Sequence, residues 1–163
     1  MKIGFISDIH SNLEALNVAI SSLEDAGAQR IFCLGDIVGY GANPRECIAI
    51  VREKCEIIVA GNHDWAAVGK TETTYFNAMA KATALWTSSQ ISAEQKLFLA
   101  TLPLVRRERN FLLVHASNAN PSDWRYILRS SQALADFSYF DKQISFIGHS
   151  HRPAIFAALR GDR

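Results

Sequence analysis

Five short apolar runs are spread along the chain, and the segments between them carry apolar residues at helical spacing. The runs are too short for buried helices, and most are rich in β-branched or aromatic residues, which is typical of buried strands. Strands that alternate with helices predict a layered α/β fold. Because we find no internal repeat, low-complexity tract or linker, the sequence predicts a single domain over residues 1–163. The runs are residues 3–6, 31–34, 57–60, 111–114 and 144–147.

Four segments are predicted to be helices. The first has Ser11 or Asn12 as its N-cap and Gly27 as its stop signal. The last opens on a capping-box pattern, in which Ser92 is followed three residues later by Gln95. The predicted helices are residues 13–23, a segment from Pro44 through Val51, residues 75–89, and a segment from Ser92 that ends before Pro103.

Each apolar run is followed at once by polar residues that are rarely buried without a partner. In open α/β sheets, ligands bind at the carboxyl ends of the strands, and these positions are the five carboxyl ends. All five histidines of the chain lie there, so the pattern predicts one functional site rather than scattered structural histidines. The residues that follow the runs are Asp8 and His10; Gly35 and Asp36; Gly61, Asn62, His63 and Asp64; His115; and Gly148, His149, Ser150 and His151.

The donors at these strand ends are oxygen and imidazole nitrogen, without a thiolate. That mixture suits manganese, iron or zinc better than calcium or a soft copper site, and nickel also fits it. The number of side chains exceeds what one ion normally takes from a protein, but it suffices for two ions about 3.5–4 Å apart that share one carboxylate. The candidate ligands are Asp8, His10, Asp36, Asn62, His115, His149 and His151.

The spacing of the ligands gives two expectations about local geometry. In Asp-x-His and His-x-His, the two side chains should lie on the same side of an extended segment, because side chains alternate along it. The glycines at positions 35, 61 and 148 should let the chain turn sharply, since glycine adopts positive φ at no steric cost.

Composition limits the classes of partner and the cellular location. The formal net charge of +1 gives no electrostatic signal for nucleic acid or for an anionic membrane. No segment approaches the length of a membrane span, and the N-terminal apolar stretch is too short for a signal peptide. The three cysteines, Cys33, Cys47 and Cys55, form no CxxC motif and are expected to be buried, reduced thiols. We therefore expect a cytoplasmic protein.

The five motifs, in this order, resemble the signature of the calcineurin-like metallophosphoesterase superfamily over residues 1–153. Within that superfamily, the segments SDIHSN and LGDIVGYG are similar to the small prokaryotic phosphodiesterase branch. The resemblance implies a four-layer α/β/β/α sandwich with a dinuclear metal centre that hydrolyses a small phosphoester, more specifically a phosphodiester. It also implies two ligand sets that share Asp36. Asp8, His10, Asp36 and His151 would hold one ion, and Asp36, Asn62, His115 and His149 would hold the other.

The net charge of the implied centre is consistent with these two ligand sets. Two divalent ions, two aspartates and a bridging hydroxide nucleophile would leave one net positive charge, which attracts a phosphodiester anion. His63 is the histidine left after the ligands are assigned, so it is the candidate acid for the leaving oxygen. Asp64 would either orient His63 or cap a following helix, and we leave both alternatives open.

Weaker candidates surround this set. Asn12 would contact phosphate or act as an N-cap, and the N-cap is favoured. Arg152 would bind substrate or lie on the surface. The cluster Trp124-Arg125-Tyr126 would line a pocket for an aromatic or nucleoside group or form a small core of its own loop, and we favour the small core.

The C-terminal segment gives the last expectations. Members of the superfamily continue with further strands after the His-x-His motif, whereas only residues 153–163 follow it here, enough for one strand at residues 154–159. A fold shortened in this way would leave an open sheet edge, so we expect a homodimer or a larger assembly. The alternatives to a phosphoesterase are a non-catalytic metal-binding scaffold for protein interaction and a truncated enzyme with weak turnover.

Overall fold

The computed structural model describes residues 1–74 and 76–158. Its strands form two sheets, with the order β1-β2-β3 in the first and β4-β5-β6 in the second. The strands are β1 (Ile3–Ile6), β2 (Arg30–Cys33), β3 (Ile57–Ile58), β4 (Val105–Arg107), β5 (Phe111–Val114) and β6 (Ile144–Phe146). The helices are α1 (Leu13–Asp25), α2 (Pro44–Lys54), α3 (Asn62–Ala67), α4 (Ala78–Gln90), α5 (Ala93–Thr101) and α6 (Ser130–Asp136), and short 3₁₀ turns follow at Pro121–Asp123 and Phe137–Tyr139.

The first sheet is parallel, and its strands are connected through α1 and α2. Ile3 pairs with Arg30, and Phe32 pairs with Ile57. The apolar faces of both helices bury residues such as Leu16 and Val51 against this sheet. Parallel strands need such crossovers, so their carboxyl ends all lie at the same edge.

The two sheets pack against each other through aromatic and aliphatic side chains. Phe32 and Leu113 are fully buried between them. The rings of Phe5 and Phe146 stack across the interface with centroids 4.0 Å apart. In the second sheet β4 runs antiparallel to β5, whereas β6 runs parallel to β5. The two packed sheets with flanking helices confirm the predicted α/β metallophosphoesterase fold class.

Most predicted helices are present, with differences at their ends. α1 begins after Asn12, whose side-chain oxygen accepts the N–H of Ala15 at 3.0 Å, and Gly27 follows its end at φ 78°. α4 begins at Ala78 with Asn77 as its N-cap, later than predicted. The predicted start at residue 75 lies outside the described residues. The short helix α3 was not predicted.

The C-terminal segment differs from the prediction. Residues 154–158 form no strand, so that part of the prediction is wrong, and Leu159 lies outside the described residues. Ile155 is 97% exposed, because nothing in the described part of the chain covers it. All three cysteines are buried and free, as predicted. Across residues 1–74 and 76–158, we find no helix long and apolar enough to span a membrane.

Candidate metal centre

The loops after the strands bring the predicted ligands together in two adjoining groups. Within each group, the potential ligand atoms lie within 4.8 Å of one another. A further group of this kind joins His10 and Asp36 to His63. The first group is Asp8, His10 and His151, and the second group is Asp36, His115 and His149.

The Asp36 carboxylate lies between the two groups. Its Oδ2 atom is 3.2 Å from Nε2 of His115 and 3.7 Å from Nε2 of His10. Its Oδ1 atom accepts the backbone N–H of His63, the second residue of α3, at 2.9 Å. One oxygen therefore faces both groups while the other fixes the carboxylate to the start of a helix.

Two of the histidines present Nε2 to the site because the opposite ring nitrogen is already used. Nδ1 of His115 lies 2.7 Å from the carbonyl oxygen of Leu34, and Nδ1 of His10 lies 3.2 Å from that of Val38. A carbonyl can only accept, so Nδ1 donates, and in the neutral ring Nε2 keeps its lone pair. Metal-binding histidines are commonly oriented in this way.

Buried atoms without hydrogen-bond partners provide a test of whether a metal ion fits. Nε2 of His149 and Oδ1 of Asn62 are buried without such a partner, and Nε2 of His115 makes no well-aligned hydrogen bond although the Asp36 carboxylate lies 3.2 Å away. Burying an unpaired polar atom costs free energy, so such atoms call for an explanation. The three atoms belong to residues of the second predicted ligand set, and their donor types suit a divalent transition metal. The residues therefore fit a metal site.

The two groups differ in their access to solvent. In the second group, the side chains of His115 and Asp36 are 0% and 2% exposed. In the first group, the side chain of His151 is 53% exposed and lies 3.5 Å from the Asp8 carboxylate. His151 therefore stands at the open side of the centre, and a substrate would enter past it.

The ligand residues have a backbone conformation that sequence spacing did not reveal. The φ angles of Asp8, His10, Asp36, His149 and His151 are 54°, 49°, 53°, 66° and 52°. For residues other than glycine, the left-handed region costs roughly 1–2 kcal/mol each. The Asp-x-His and His-x-His segments are thus tight turns, and the prediction of extended segments with alternating side chains is wrong.

The three glycines of the motifs serve two different purposes. Gly35 has a φ of 93°, as predicted. Gly61 has a φ of −101°, but a Cβ atom there would collide with Oδ1 of Asp36. A Cβ atom at Gly148 would collide with Oγ of Ser7 and lie 2.8 Å from Oδ2 of Asp8. Positions 61 and 148 need glycine because the chain passes close to ligand carboxylates, so the expectation of positive φ is wrong there.

The electrostatics of the pocket favour an ionised Asp36. Burial favours the neutral acid, but the His115, His63 and His10 imidazoles outweigh it and hold the pKa of Asp36 well below its ordinary value. For His115, burial acts to lower the pKa, while the Asp36 carboxylate raises it to about 9. Burial lowers the pKa of His149 to about 4. An anionic carboxylate among imidazoles is the arrangement that a cation would stabilise.

His63 lies beside the ligands and within a shell of rings. Its ring centroid is 4.9 Å from His10, 4.6 Å from Tyr40 and 5.0 Å from Phe76. Its Nδ1 atom is buried without a hydrogen-bond partner. Burial lowers the pKa of His63 to about 4. The structure therefore places the candidate acid next to the first ligand group.

Asp64 is fully buried, and its carboxylate accepts backbone N–H groups. The contacts favour its role as a cap over the alternative in which it orients His63. Burial raises the pKa of Asp64 to about 7, although the N–H donors act against that increase. The donors are Gly61 and Asp36 at 2.9 Å to Oδ2, and Ile37 at 2.9 Å and Val38 at 3.2 Å to Oδ1.

The weaker candidates have different surroundings. Asn12 is the N-cap of α1, in agreement with the favoured alternative. Arg152 is an exposed residue beside His151. The aromatic residues of the cluster Trp124-Arg125-Tyr126 have different surroundings. Trp124 is partly buried, and its Nε1 donates to Oγ1 of Thr71 at 3.0 Å, whereas Tyr126 stacks on His149.

Two aromatic residues lie next to the ligands: Tyr40, which sequence reasoning missed, and Tyr126, which it had placed in the small core of a loop. The ring of Tyr126 stacks on His149 with centroids 4.0 Å apart and planes at 22°. The ring of Tyr40 stands edge-on to His10 at 4.9 Å and 74°. The position of Tyr40 between Gly39 and Gly41, just after a strand-end motif, was the available signal.

Comparison with known proteins agrees with the family resemblance of the sequence motifs. The profile of the family described as "Calcineurin-like phosphoesterase superfamily domain" matches residues 1–160. "Uncharacterized protein MJ0912" of Methanocaldococcus jannaschii is 42% identical over 158 residues, which cover 94% of this chain and 63% of that protein. The chain thus spans less than two thirds of that relative.

Two crystal structures have a similar fold. A metallophosphoesterase from Sphaerobacter thermophilus is 42% identical with a TM-score of 0.79, over 93% of this chain and 61% of that one. Hypothetical protein PH1004 from Pyrococcus horikoshii OT3 is 22% identical with a TM-score of 0.67, over 83% of this chain and 64% of that one, and it shows the fold alone. The chain belongs to the calcineurin-like phosphoesterase superfamily, whose members depend on metal ions.

Proposed function

We propose that this chain hydrolyses phosphodiesters with two divalent metal ions, manganese being the first choice. The observation that carries the proposal is the Oδ2 atom of Asp36, which faces His115 in one ligand group and His10 in the other. A carboxylate oxygen in that position suits a shared ligand of two neighbouring ions.

The proposed roles follow from the two groups. Asp8, His10 and His151 hold one ion together with Asp36, and Asn62, His115 and His149 hold the other together with Asp36. Bound divalent ions would supply positive charge for the phosphoryl oxygens and activate a water molecule at neutral pH. Of the side chains at this centre, two are carboxylates, which leaves a positive balance that suits the single charge of a diester.

His63 is proposed as the group that protonates or stabilises the leaving oxygen. It lies next to the first ligand group, and its backbone N–H is fixed by Asp36. Burial lowers the pKa of His63 and so favours the neutral ring, whereas a phosphoester anion bound beside it would favour the protonated form that a general acid needs.

The test combines metal content with activity. Protein loaded with manganese should approach two equivalents per chain by elemental analysis and should hydrolyse diesters faster than the corresponding monoesters. Asp36→Asn should lose both ions and the activity, because the shared carboxylate is gone. Asp141→Asn, at an exposed surface ion pair with Arg107, is the matched control and should lose neither.

The outcomes distinguish the proposed phosphodiesterase from a metal-binding scaffold and from a weakly active enzyme. One equivalent under excess metal would contradict the shared centre. Two equivalents without hydrolysis of any ester would instead favour a metal-binding scaffold, and slow hydrolysis at full occupancy would favour a weakly active enzyme. A preference for monoesters would overturn the substrate class while leaving the centre intact.

A further inference from the structure

We propose that Tyr40 and Tyr126, here called the aromatic rim, make the site selective for phosphoesters whose organic group carries a planar aromatic ring. This inference rests on the proposed function, since it concerns the substrate of the same site. It goes beyond that function because it names two residues and the chemistry that they recognise.

Tyr126 offers one covered and one open ring face. Its ring stacks on the imidazole of His149 with centroids 4.0 Å apart and planes at 22°. The residue is nevertheless 53% exposed. Among the residues that the structure describes, the face that does not contact His149 is therefore available, next to a candidate metal ligand. A planar group of an ester held at the metal centre can stack there.

Tyr40 borders the other ligand group. Its ring stands edge-on to His10 and lies 4.6 Å from the ring of His63, yet the residue is 41% exposed. It lines a cleft of about 640 Å³ that also includes Asp8 and His10. A volume of this size accommodates a small organic group. An organic group in this cleft can therefore contact the ring of Tyr40 while its phosphate lies beside Asp8 and His10.

The residues next to Tyr126 hold the loop in place, so loop packing alone does not explain the position of Tyr126. Trp124 packs at 87° against Trp65 with centroids 5.7 Å apart, and it bonds to Thr71. Arg125 forms an ion pair with Asp123 at 2.9 Å. These two residues hold the loop, whereas Tyr126 faces the centre. A half-exposed ring stacked on a candidate metal ligand is placed to contact an aromatic group of a bound ester.

The experiment compares two diesters that differ only in the retained group. Para-nitrophenyl phenyl phosphate and para-nitrophenyl cyclohexyl phosphate have the same leaving group and similar size, but only one retained ring is planar and aromatic. Wild-type protein should prefer the phenyl ester in kcat/KM by about tenfold, as stacking of one ring typically provides. Tyr126→Leu should lose most of that preference, and Tyr40→Leu should reduce it.

Two further variants are matched controls. Tyr126→Phe keeps the ring and should keep the preference. Tyr139→Leu removes a tyrosine of similar exposure, 57%, from the 3₁₀ turn Phe137–Tyr139, and it should change nothing. Should Tyr126→Leu fail to fold, Tyr40→Leu tests the same expectation.

Binding provides a readout that does not depend on turnover. Calorimetry with phenylphosphonate and cyclohexylphosphonate, whose C–P bonds a phosphoesterase does not cleave, should show the same preference on manganese-loaded protein, and the same loss in Tyr126→Leu. Manganese stoichiometry and affinity should be unchanged in that variant.

The outcomes separate this inference from the proposed function. If the protein hydrolyses neither ester, the proposed function is contradicted. The binding preference still tests the aromatic rim in that case. An equal preference in wild type and Tyr126→Leu overturns the aromatic rim. Loss of manganese affinity in Tyr126→Leu also overturns it, because the ring would then act only by supporting His149.

Discussion

One buried carboxylate organises the loop that carries the shared ligand. Asp64 accepts the N–H groups of Asp36 and of Ile37 and Val38, and the carbonyl of Val38 in turn orients His10. Asp64 therefore connects the start of α3 with both ligand groups. Both of its oxygens accept backbone N–H groups, although the residue lies next to the candidate acid.

Replacement of Asp64 by asparagine should destabilise the fold. The asparagine NH₂ group would face backbone donors, and hydrogen bonds to a charged group would be lost, at a cost of about 3 kcal/mol. Urea unfolding measures this free energy. Asp25→Asn, at the exposed end of α1, is the control and should stay within about 0.5 kcal/mol. An unchanged stability in Asp64→Asn would contradict the capping role.

His63→Gln separates chemistry from structure. If His63 assists the leaving oxygen, the variant should keep both metals and its melting temperature while losing about 10²–10⁴-fold in rate. The loss should be smaller for nitrophenyl esters, which need little help to leave, and larger for alkyl esters. Equal losses for both classes would exclude the acid role, and full activity would exclude a role in catalysis.

The identity of the ligand residues could be predicted from the sequence, but their conformation could not. Polar residues directly after apolar runs indicated the strand ends, because the order of elements determines which ends meet. The left-handed turns at residues such as Asp8 and His149 depend on tertiary contacts, for example the hydrogen bond from the His149 N–H to the Asp8 carboxylate at 2.9 Å. Spacing along the chain contains no information about such contacts.

Among the helices, two N-caps differ in a way that allows a controlled comparison. The side chain of Asn12 caps α1, whereas Asn43 precedes α2 without a side-chain cap hydrogen bond. Both residues line the same cleft beside Asp8 and His10. An asparagine thus precedes each of the two helices at this cleft, but only Asn12 makes a side-chain capping hydrogen bond.

Asn12→Ala should reduce the free energy of unfolding by about 1 kcal/mol, because the N–H of Ala15 loses its acceptor. Asn43→Ala should change it by less than about 0.5 kcal/mol, since no capping bond is lost. Thermal or urea unfolding gives both values. If Asn12→Ala left stability unchanged but weakened phosphate binding, the contact with phosphate would be the better explanation.

Helices with long apolar periodicity were predictable, and the short helix α3 was not. α1 and α2 have apolar stripes, and they begin with a side-chain cap and with a proline, respectively. α3 spans only Asn62–Ala67 and begins inside a polar motif, so no periodic signal exists for it. The apolar residues 154–158 match a strand in composition, yet they find no pairing partner within the part of the chain that the structure describes.

For the molecule as a whole, the second sheet has β6 at one edge. The described residues after it, 147–158, add no strand. Open edges favour pairing with another chain. Ile144, at the start of β6, is 47% exposed.

We therefore predict self-association through this edge. Light scattering across micromolar concentrations should show a dimer. Ile144→Lys should shift the equilibrium toward monomer, because a charge at an edge disfavours pairing. Met79→Lys, at an exposed position on α4, is the control and should leave the dimer intact. A wild-type monomer at every concentration would contradict the prediction.

The contact between His10 and His151, whose Nε2 atoms lie 3.0 Å apart, joins residues separated by 141 positions. A ribosome releases His10 long before it has made His151, so a nascent chain cannot offer the first ligand group to an ion. Metal loading of this group must then follow the synthesis of His151. An ion bound there would close a loop across the 141 positions between the two histidines, and closing a long loop is where a cross-link restricts the unfolded ensemble most. The ion would thus link two segments that are far apart in the sequence, and a chain that lost it would be the form open to proteases.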